Sequence, residues 1–145
     1  MCKPRISRFM HPAEIEERVI KAQTLFRMGY NCSQAVFASC ADLYGITDKE
    51  LALRLSSSFG GGIGRMGKTC GAACGMFMLE GLRSGSAIAG DRQGKMANYA
   101  HVQQLAGIFR GKFGSTTCAT LLASKKAPCI DMVAEAVRII LTAQR

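Results

Sequence analysis

Four of the chain's seven cysteines directly follow residues that favour the start of a helix. The four sites are Asn31-Cys32, Thr69-Cys70, the Ser115–Thr117 run before Cys118, and Pro128-Cys129. A helix N-terminus presents unpaired N–H groups and a partial positive charge, which favour a thiolate over a thiol. The thiolate is both the nucleophile of thiol chemistry and a metal ligand. The four cysteines therefore predict a redox-active or metal-binding site, although free cysteines also serve as small buried side chains.

Length and charge narrow the class of protein. A chain of 145 residues fits one all-α domain over residues 1–145 and can bury a core without disulfide staples. The net charge of +9 suits an acidic partner, but the basic residues are spread along the chain and aromatic residues are few. We therefore expect no nucleic-acid partner and interpret most of these charges as solvated helix faces.

Cysteine usage and hydropathy indicate the compartment. No segment holds the roughly 18 uninterrupted apolar residues of a membrane span, so we expect a cytoplasmic protein with no membrane span. In a reducing compartment, seven cysteines favour reactive thiols, a metal site or core packing over a disulfide framework.

Apolar residues recur at helical spacing nearly throughout, and no stretch alternates as a half-buried strand does. The sequence predicts an all-α, compact bundle of six or seven helices. The longest helix is expected to place Met96, Tyr99, Val102, Ala106 and Phe109 on its inner face. The predicted helices span 12–28, 33–44, a short segment from Thr47 or Asp48 to about 57, 69–84, 91–112, 116–123 and 129–143.

A glycine-rich connector, residues 60–68, precedes the helix that carries Cys70. Gly62, Gly64 and Gly67 spell G-x-G-x-x-G, but the segment before them is predicted to be helical, which excludes a dinucleotide-binding strand–turn–helix. Two uses of the Gly60–Gly67 loop remain open. It can bind an anion or cofactor through backbone N–H groups with Arg65 and Lys68, or it can let the backbone pass close to a cysteine.

The chain resembles the family named for its C-GCAxxG-C-C pattern, whose members are described as redox-active. The resemblance rests on N-C-S-Q-A-V at 31–36, G-G-G-I-G-R-M-G at 60–67, C-G-A-A-C-G at 70–75, F-G-S at 113–115 with C-A-T-L-L at 118–122, and the cysteine before the last helix. Position by position, it places the family's cysteines at Cys32, Cys70, Cys118 and Cys129. These are the four that helix-start context selects.

The other cysteines have less definite roles. Cys74 lies one helical turn from Cys70, so it is either an extra ligand, a resolving thiol or a core residue. Cys40 is expected in the core, and Cys2 lies near the N-terminus. Gly71, Gly75 and Gly81 are expected to let a second helix or sulfur approach closely.

Three functions remain open. The leading hypothesis is a thiol-based redox or electron-transfer protein with an unidentified redox partner, in which the four cysteines converge. The alternatives are an iron–sulfur cluster or zinc module built on the same cysteines, and an anion- or cofactor-binding protein that uses Gly62, Gly64, Arg65, Gly67 and Lys68. Of the two histidines, His11 is expected to be exposed and His101 to be a satisfied buried side chain. We also expect the helix dipole, Arg65 and Lys68 to lower the pKa of Cys70.

Overall fold

A computed structural model describes residues 9–143. It contains α-helices joined by loops, and within these residues the only β pairing is an isolated antiparallel bridge between Thr69 and Thr117. The predicted all-α fold is confirmed. The helices are α1 (Pro12–Arg27), α2 (Cys32–Cys40), α3 (Lys49–Leu55), α4 (Gly71–Ser84), α5 (Arg92–Phe113), α6 (Cys118–Ser124) and α7 (Cys129–Thr142), with short 3-10 helices at Ala41–Tyr44 and Ser57–Phe59.

Local signals set most helix boundaries. The side chains of Asn31, Asp48 and Asp91 accept hydrogen bonds from backbone N–H groups in the first turns of α2, α3 and α5. Gly45 and Gly114 adopt positive φ directly after a helical segment, at +98° and +88°. The predicted boundaries therefore lie within a few residues of the observed ones.

The centre of the bundle lies where α1, α2, α4 and α7 pack together. α2 packs against α1, α3, α4 and α7, while α5 packs against α4 and α7. α6 takes little part in helix–helix packing. Because α2, α4 and α7 are mutual neighbours, the cysteines at their N-termini can lie at one end of the bundle. No helix among residues 9–143 has both the length and the apolar character needed to cross a membrane.

The predicted inner face of α5 is wrong in part. Met96 and Tyr99 are 56% and 50% exposed, whereas Leu105 and Phe109 are fully buried. α5 carries two apolar stripes, and packing against α4 and α7 selects the one with Leu105. Helical spacing alone does not distinguish between two such stripes.

An ion-pair network ties α1, α5 and α7 together. Arg138 on α7 pairs with Glu16 on α1, and Glu135 accepts from both Arg138 and Lys112 of α5. Burial opposes ionisation of Glu135, but its hydrogen bonds with Lys112 and Arg138 outweigh burial and lower its pKa from 4.5.

Glu135→Gln tests this network through the pH dependence of stability. Because the folded-state pKa of Glu135 is lowered, its contribution is present above the unfolded pKa and is lost as the pH falls through the folded value. We expect the variant to lose about 1 kcal/mol at pH 7 and little at pH 3 in urea unfolding. The exposed Glu17→Gln is the control. An equal loss from Glu135→Gln at both pH values would contradict the electrostatic explanation.

Candidate functional site

Each of the four selected cysteines stands at a helix N-terminus. Cys32, Cys118 and Cys129 are the first residues of α2, α6 and α7, and Cys70 occupies the N-cap position directly before α4. The α2 start is the most fully capped, because Asn31 and Gln34 exchange side-chain-to-backbone hydrogen bonds. The predicted helix-start positions of the four cysteines are therefore confirmed.

The four thiols also lie close together. A negative charge on any one of them acts on the others in all six pairings, and Cys129 is the neighbour that acts most strongly on Cys32. Cys70 is buried, while the other three are partly exposed. We call this group, Cys32, Cys70, Cys118 and Cys129, the cysteine cluster.

Backbone hydrogen bonds place Cys118 in the cluster. Its N–H donates to Lys68 O over 2.6 Å, and the N–H of the next residue, Ala119, donates to Gly67 O over 3.2 Å. In the other direction, Cys70 N donates to Thr116 O over 2.7 Å. The glycine-rich connector and the segment before α6 therefore hold the starts of α4 and α6 side by side.

Three glycines allow this close approach. A Cβ at Gly62 would lie 2.6 Å from Cys118 Cβ, and one at Gly71 would lie 3.2 Å from Cys32 Cβ. A Cβ at Gly60 would meet the Asn31 side chain at 2.6 Å, and Asn31 Nδ2 also donates to Ser57 O. Glycine at these positions lets the backbone pass close to the cluster, which is one of the two uses predicted for the loop.

The connector itself makes a left-handed turn. Five consecutive residues, 61–65, have φ between +59° and +75°, and two of them, Ile63 and Arg65, are not glycine. Left-handed backbone is strained for a β-branched residue such as isoleucine. The N–H groups of residues 63 and 65–68 donate to carbonyl oxygens of residues 59–63. These five N–H groups are engaged within the loop, so the turn supports the cluster through its shape.

The environment of the cluster raises the pKa values of the Cys32 and Cys118 thiols. Burial, followed by the charges of Cys129 and Cys70, raises the pKa of Cys32 to about 12. Burial also raises the pKa of Cys118, with a smaller contribution from Cys129. A thiolate at Cys32 or Cys118 therefore loses solvation, and it would be repelled by a second thiolate in the cluster.

The predicted lowering of the Cys70 pKa is wrong. Burial raises it, although the N–H groups of Ala73 and Ala72 act in the opposite direction, as a helix N-terminus should. Arg65 and Lys68 are both exposed, so solvent screens their charges. Desolvation therefore outweighs the helix end.

Alkylation kinetics should reflect these raised values. In the folded, reduced protein at pH 8, we expect iodoacetamide to label Cys32 about a hundredfold or more slowly than in urea, because the thiolate is its reactive form. Labelling followed by mass spectrometry measures each rate. Cys40, whose pKa burial raises to about 11, serves as a buried comparison. Rapid labelling of Cys32 or Cys70 at mildly acidic pH would contradict the described environment.

The remaining cysteines differ in position. Cys40 is fully buried in the core beside Ser39 Oγ, as predicted, and Cys2 lies outside the described residues. Cys74 is 8% exposed and lines an apolar pocket of about 370 Å³ together with Phe59, Ile63, Thr69, Phe77 and Met78. Burial raises the pKa of Cys74, and the charge of the nearby Cys70 raises it further.

The two histidines make their contacts with residues outside the cluster. His11 is exposed and caps α1, and His101 Nδ1 lies 3.3 Å from the buried Glu80 carboxylate on α4.

Two glycines of α4 differ in how closely other atoms approach them. A Cβ at Gly75 would lie 2.9 Å from Val36 Cβ of α2, whereas a Cβ at Gly81 would have no atom within 4 Å. The predicted close approach therefore applies to Gly71 and Gly75 but not to Gly81.

Sequence reasoning missed several residues that support the cluster. Gln34 completes the α2 cap and also donates to Leu53 O, and Phe59 O borders Gly71. The N-x-x-Q spacing is a local signal that could have identified Gln34. The contact of Thr116 O with Cys70 N joins distant parts of the chain and has no local signal.

Comparison with known proteins identifies the family to which the chain belongs. Residues 30–143 match the family described as "Putative redox-active protein (C_GCAxxG_C_C)". The chain belongs to this family, and the match spans all four cysteines of the cluster. No curated protein and no solved structure shows a match to the chain. Among residues 9–143, no group of three or more His, Cys, Asp or Glu side chains is placed to hold a metal ion.

Proposed function

We propose that the protein exchanges electrons through a reversible disulfide between Cys32 and Cys129. The observation that supports this pair is their proximity, because Cys129 is the neighbour that acts most strongly on the Cys32 thiol. Both side chains also pack against the hydrophobic core, so the pair is held in place from one side. Membership of a family described as redox-active supports the same chemistry.

The reaction is thiol–disulfide exchange. A cluster thiolate attacks one sulfur of a substrate disulfide, forming a mixed disulfide and releasing one substrate thiol, which takes up a proton. The second cluster thiol loses its proton and attacks the cluster sulfur of the mixed disulfide, which releases the second substrate thiol. Two electrons pass from the Cys32–Cys129 pair to the substrate, and the pair becomes a disulfide.

The environment favours a reducing pair. Strongly oxidising dithiols owe their potential to a stabilised thiolate in the reduced form. In this cluster burial and neighbouring sulfurs destabilise the thiolate of Cys32, whereas the uncharged disulfide carries no such penalty. The protein should therefore donate electrons to substrate disulfides more readily than it accepts them.

Mild oxidation followed by disulfide mapping tests the pairing. In a Cys40→Ala background, trypsin cleavage after Arg27 and Lys49 gives a peptide with Cys32 as its single cysteine. One equivalent of diamide should yield this peptide linked to the one that contains Cys129. A different dominant link would contradict the pair. Protein purified without oxygen that carries stoichiometric iron or zinc on these cysteines would favour the metal-centre alternative instead.

A further inference from the structure

The surface around Cys118 combines positive charge with exposed apolar side chains. Lys125 and Lys126 follow α6, the helix that begins at Cys118, and Arg65 and Lys68 lie on the connector bonded to its first turn. All four are exposed. We call these four residues, Arg65, Lys68, Lys125 and Lys126, the basic rim.

Two residues of the rim, Lys68 and Lys126, lie beside the start of α6. Lys68 O accepts from Cys118 N, so Lys68 adjoins the cysteine directly. Lys126 folds back toward the turn before α6, since its Nζ lies 3.3 Å from the position of a Cβ at Gly114. Gly67 lies against Ala119, where a Cβ would meet Ala119 Cβ at 3.2 Å, so the tip of the connector rests on the first turn of α6.

Two exposed apolar side chains, which we call the apolar centre, lie on the elements that carry the rim. Met66 is 64% exposed and precedes Gly67, and Leu122 is 56% exposed and lies one helical turn after Ala119. Both project from elements joined at Cys118. Methionine adapts readily to different partner shapes, and an apolar centre ringed by polar groups is the usual organisation of a protein interface.

Acidic residues are absent from the segments that build this surface. Residues 51–79 and 92–130 contain no aspartate or glutamate, although the chain has ten in all. Asp131, in the first turn of α7, is the nearest acidic residue in sequence to the cluster cysteines. The positive charge of the rim is therefore not neutralised by acids within these segments.

We propose that the basic rim and its apolar centre form the docking surface for a protein partner with an acidic surface around its own disulfide. This inference rests on the proposed thiol exchange and specifies its partner. Charge complementarity would steer the partner disulfide to the side of the cluster where Cys118 lies, the cluster cysteine that does not pack against the hydrophobic core. There the Cys32–Cys129 pair would carry out the exchange. The apolar centre favours a protein partner. The rim contains no aromatic side chain on which RNA bases could stack, which argues against an RNA strand.

The test compares three synthetic peptide disulfides that differ only in charge, with glutamate, glutamine or lysine flanking the cysteine. The reduced protein transfers two electrons to each, by the exchange described above. At about 20 mM salt we expect the acidic disulfide to react about tenfold faster than the neutral one, and the difference to fall below about twofold at 0.5 M salt.

Two double variants separate the rim from overall charge. Lys125→Glu/Lys126→Glu should remove most of the advantage of the acidic peptide. Arg92→Glu/Lys95→Glu makes the same charge change near the start of the 22-residue helix α5, about 28–33 Å along its axis from Gly114, and should leave the advantage in place. Equal losses in the two variants would overturn the docking surface.

The remaining outcomes distinguish this inference from the proposed function. If acidic and neutral disulfides react equally fast, the docking surface is wrong and the thiol exchange stands. If no disulfide reacts but a serine version of the acidic peptide binds and the rim variant abolishes binding, the surface stands and the exchange is wrong. If a single-stranded RNA oligonucleotide binds the rim more tightly than the acidic peptide, the assignment to a protein partner is overturned.

Discussion

Replacing Cys32 or Cys129 by serine is expected to abolish the intramolecular disulfide and with it the reduction of a substrate disulfide. Each variant leaves one thiol of this neighbouring pair without the partner that resolves a mixed disulfide. We expect single-turnover reduction of a model disulfide to fall at least about a hundredfold, and a mixed disulfide with the remaining cysteine to accumulate. Stopped-flow kinetics and intact-mass measurement follow the two quantities.

Two other cysteines provide the controls. Cys40 is buried in the core beside Ser39, and Cys74 lines the apolar pocket. Cys40→Ala and Cys74→Ala should retain reduction within about threefold of the unsubstituted chain, apart from changes in stability. Full activity in Cys32→Ser would contradict the assignment of the pair, and loss of activity in Cys74→Ala would place the reaction at the pocket instead.

Gly62→Ala should be the most damaging single-methyl change in the glycine-rich connector. Gly62 has φ +75°, and an added Cβ would lie 2.6 Å from both Cys118 Cβ and Lys68 N. The backbone must shift to relieve these contacts, which displaces Cys118. We expect a loss of about 3 kcal/mol or more in the free energy of unfolding, together with faster alkylation of Cys118.

Two further glycine variants separate the causes of this effect. Gly64 has φ +59° but its nearest atom, Ser58 O, is 3.8 Å away, so Gly64→Ala should show backbone strain alone, about 1 kcal/mol. Gly107 lies in α5 with open space around it, and Gly107→Ala should stabilise the helix by about 0.5–1 kcal/mol. Equal losses in the free energy of unfolding from Gly62→Ala and Gly64→Ala, measured with urea, would show that the contact with Cys118 does not contribute to stability.

Local chemistry explains why much of the fold could be predicted. Asn31, Asp48 and Gly45 act through hydrogen bonds or backbone angles within a few residues, so their sequence context was sufficient. Spacing along α5 was not sufficient, because exposure of Met96 and burial of Leu105 depend on where α4 and α7 pack.

Predictions about the site were likewise limited by effects that depend on residues distant in sequence. The residue types marked the four helix-start cysteines, but desolvation depends on the surrounding tertiary structure, and it reverses the expected pKa change at Cys70. The connector was predicted as a loop, yet its left-handed turn and the contact between Gly62 and Cys118 follow from long-range hydrogen bonds to residues 116–119. Neither could be read from the glycine spacing.

Redox titration tests the central claim most directly. The protein is equilibrated without oxygen in buffers of defined thiol–disulfide potential, and the Cys32–Cys129 linkage is quantified by alkylation and mass spectrometry. We expect one reversible two-electron transition with a midpoint more negative than about −200 mV at pH 7, moving by about −59 mV per pH unit because two protons accompany two electrons. A midpoint near about −120 mV, or a pair that never forms a disulfide across the titration, would contradict it.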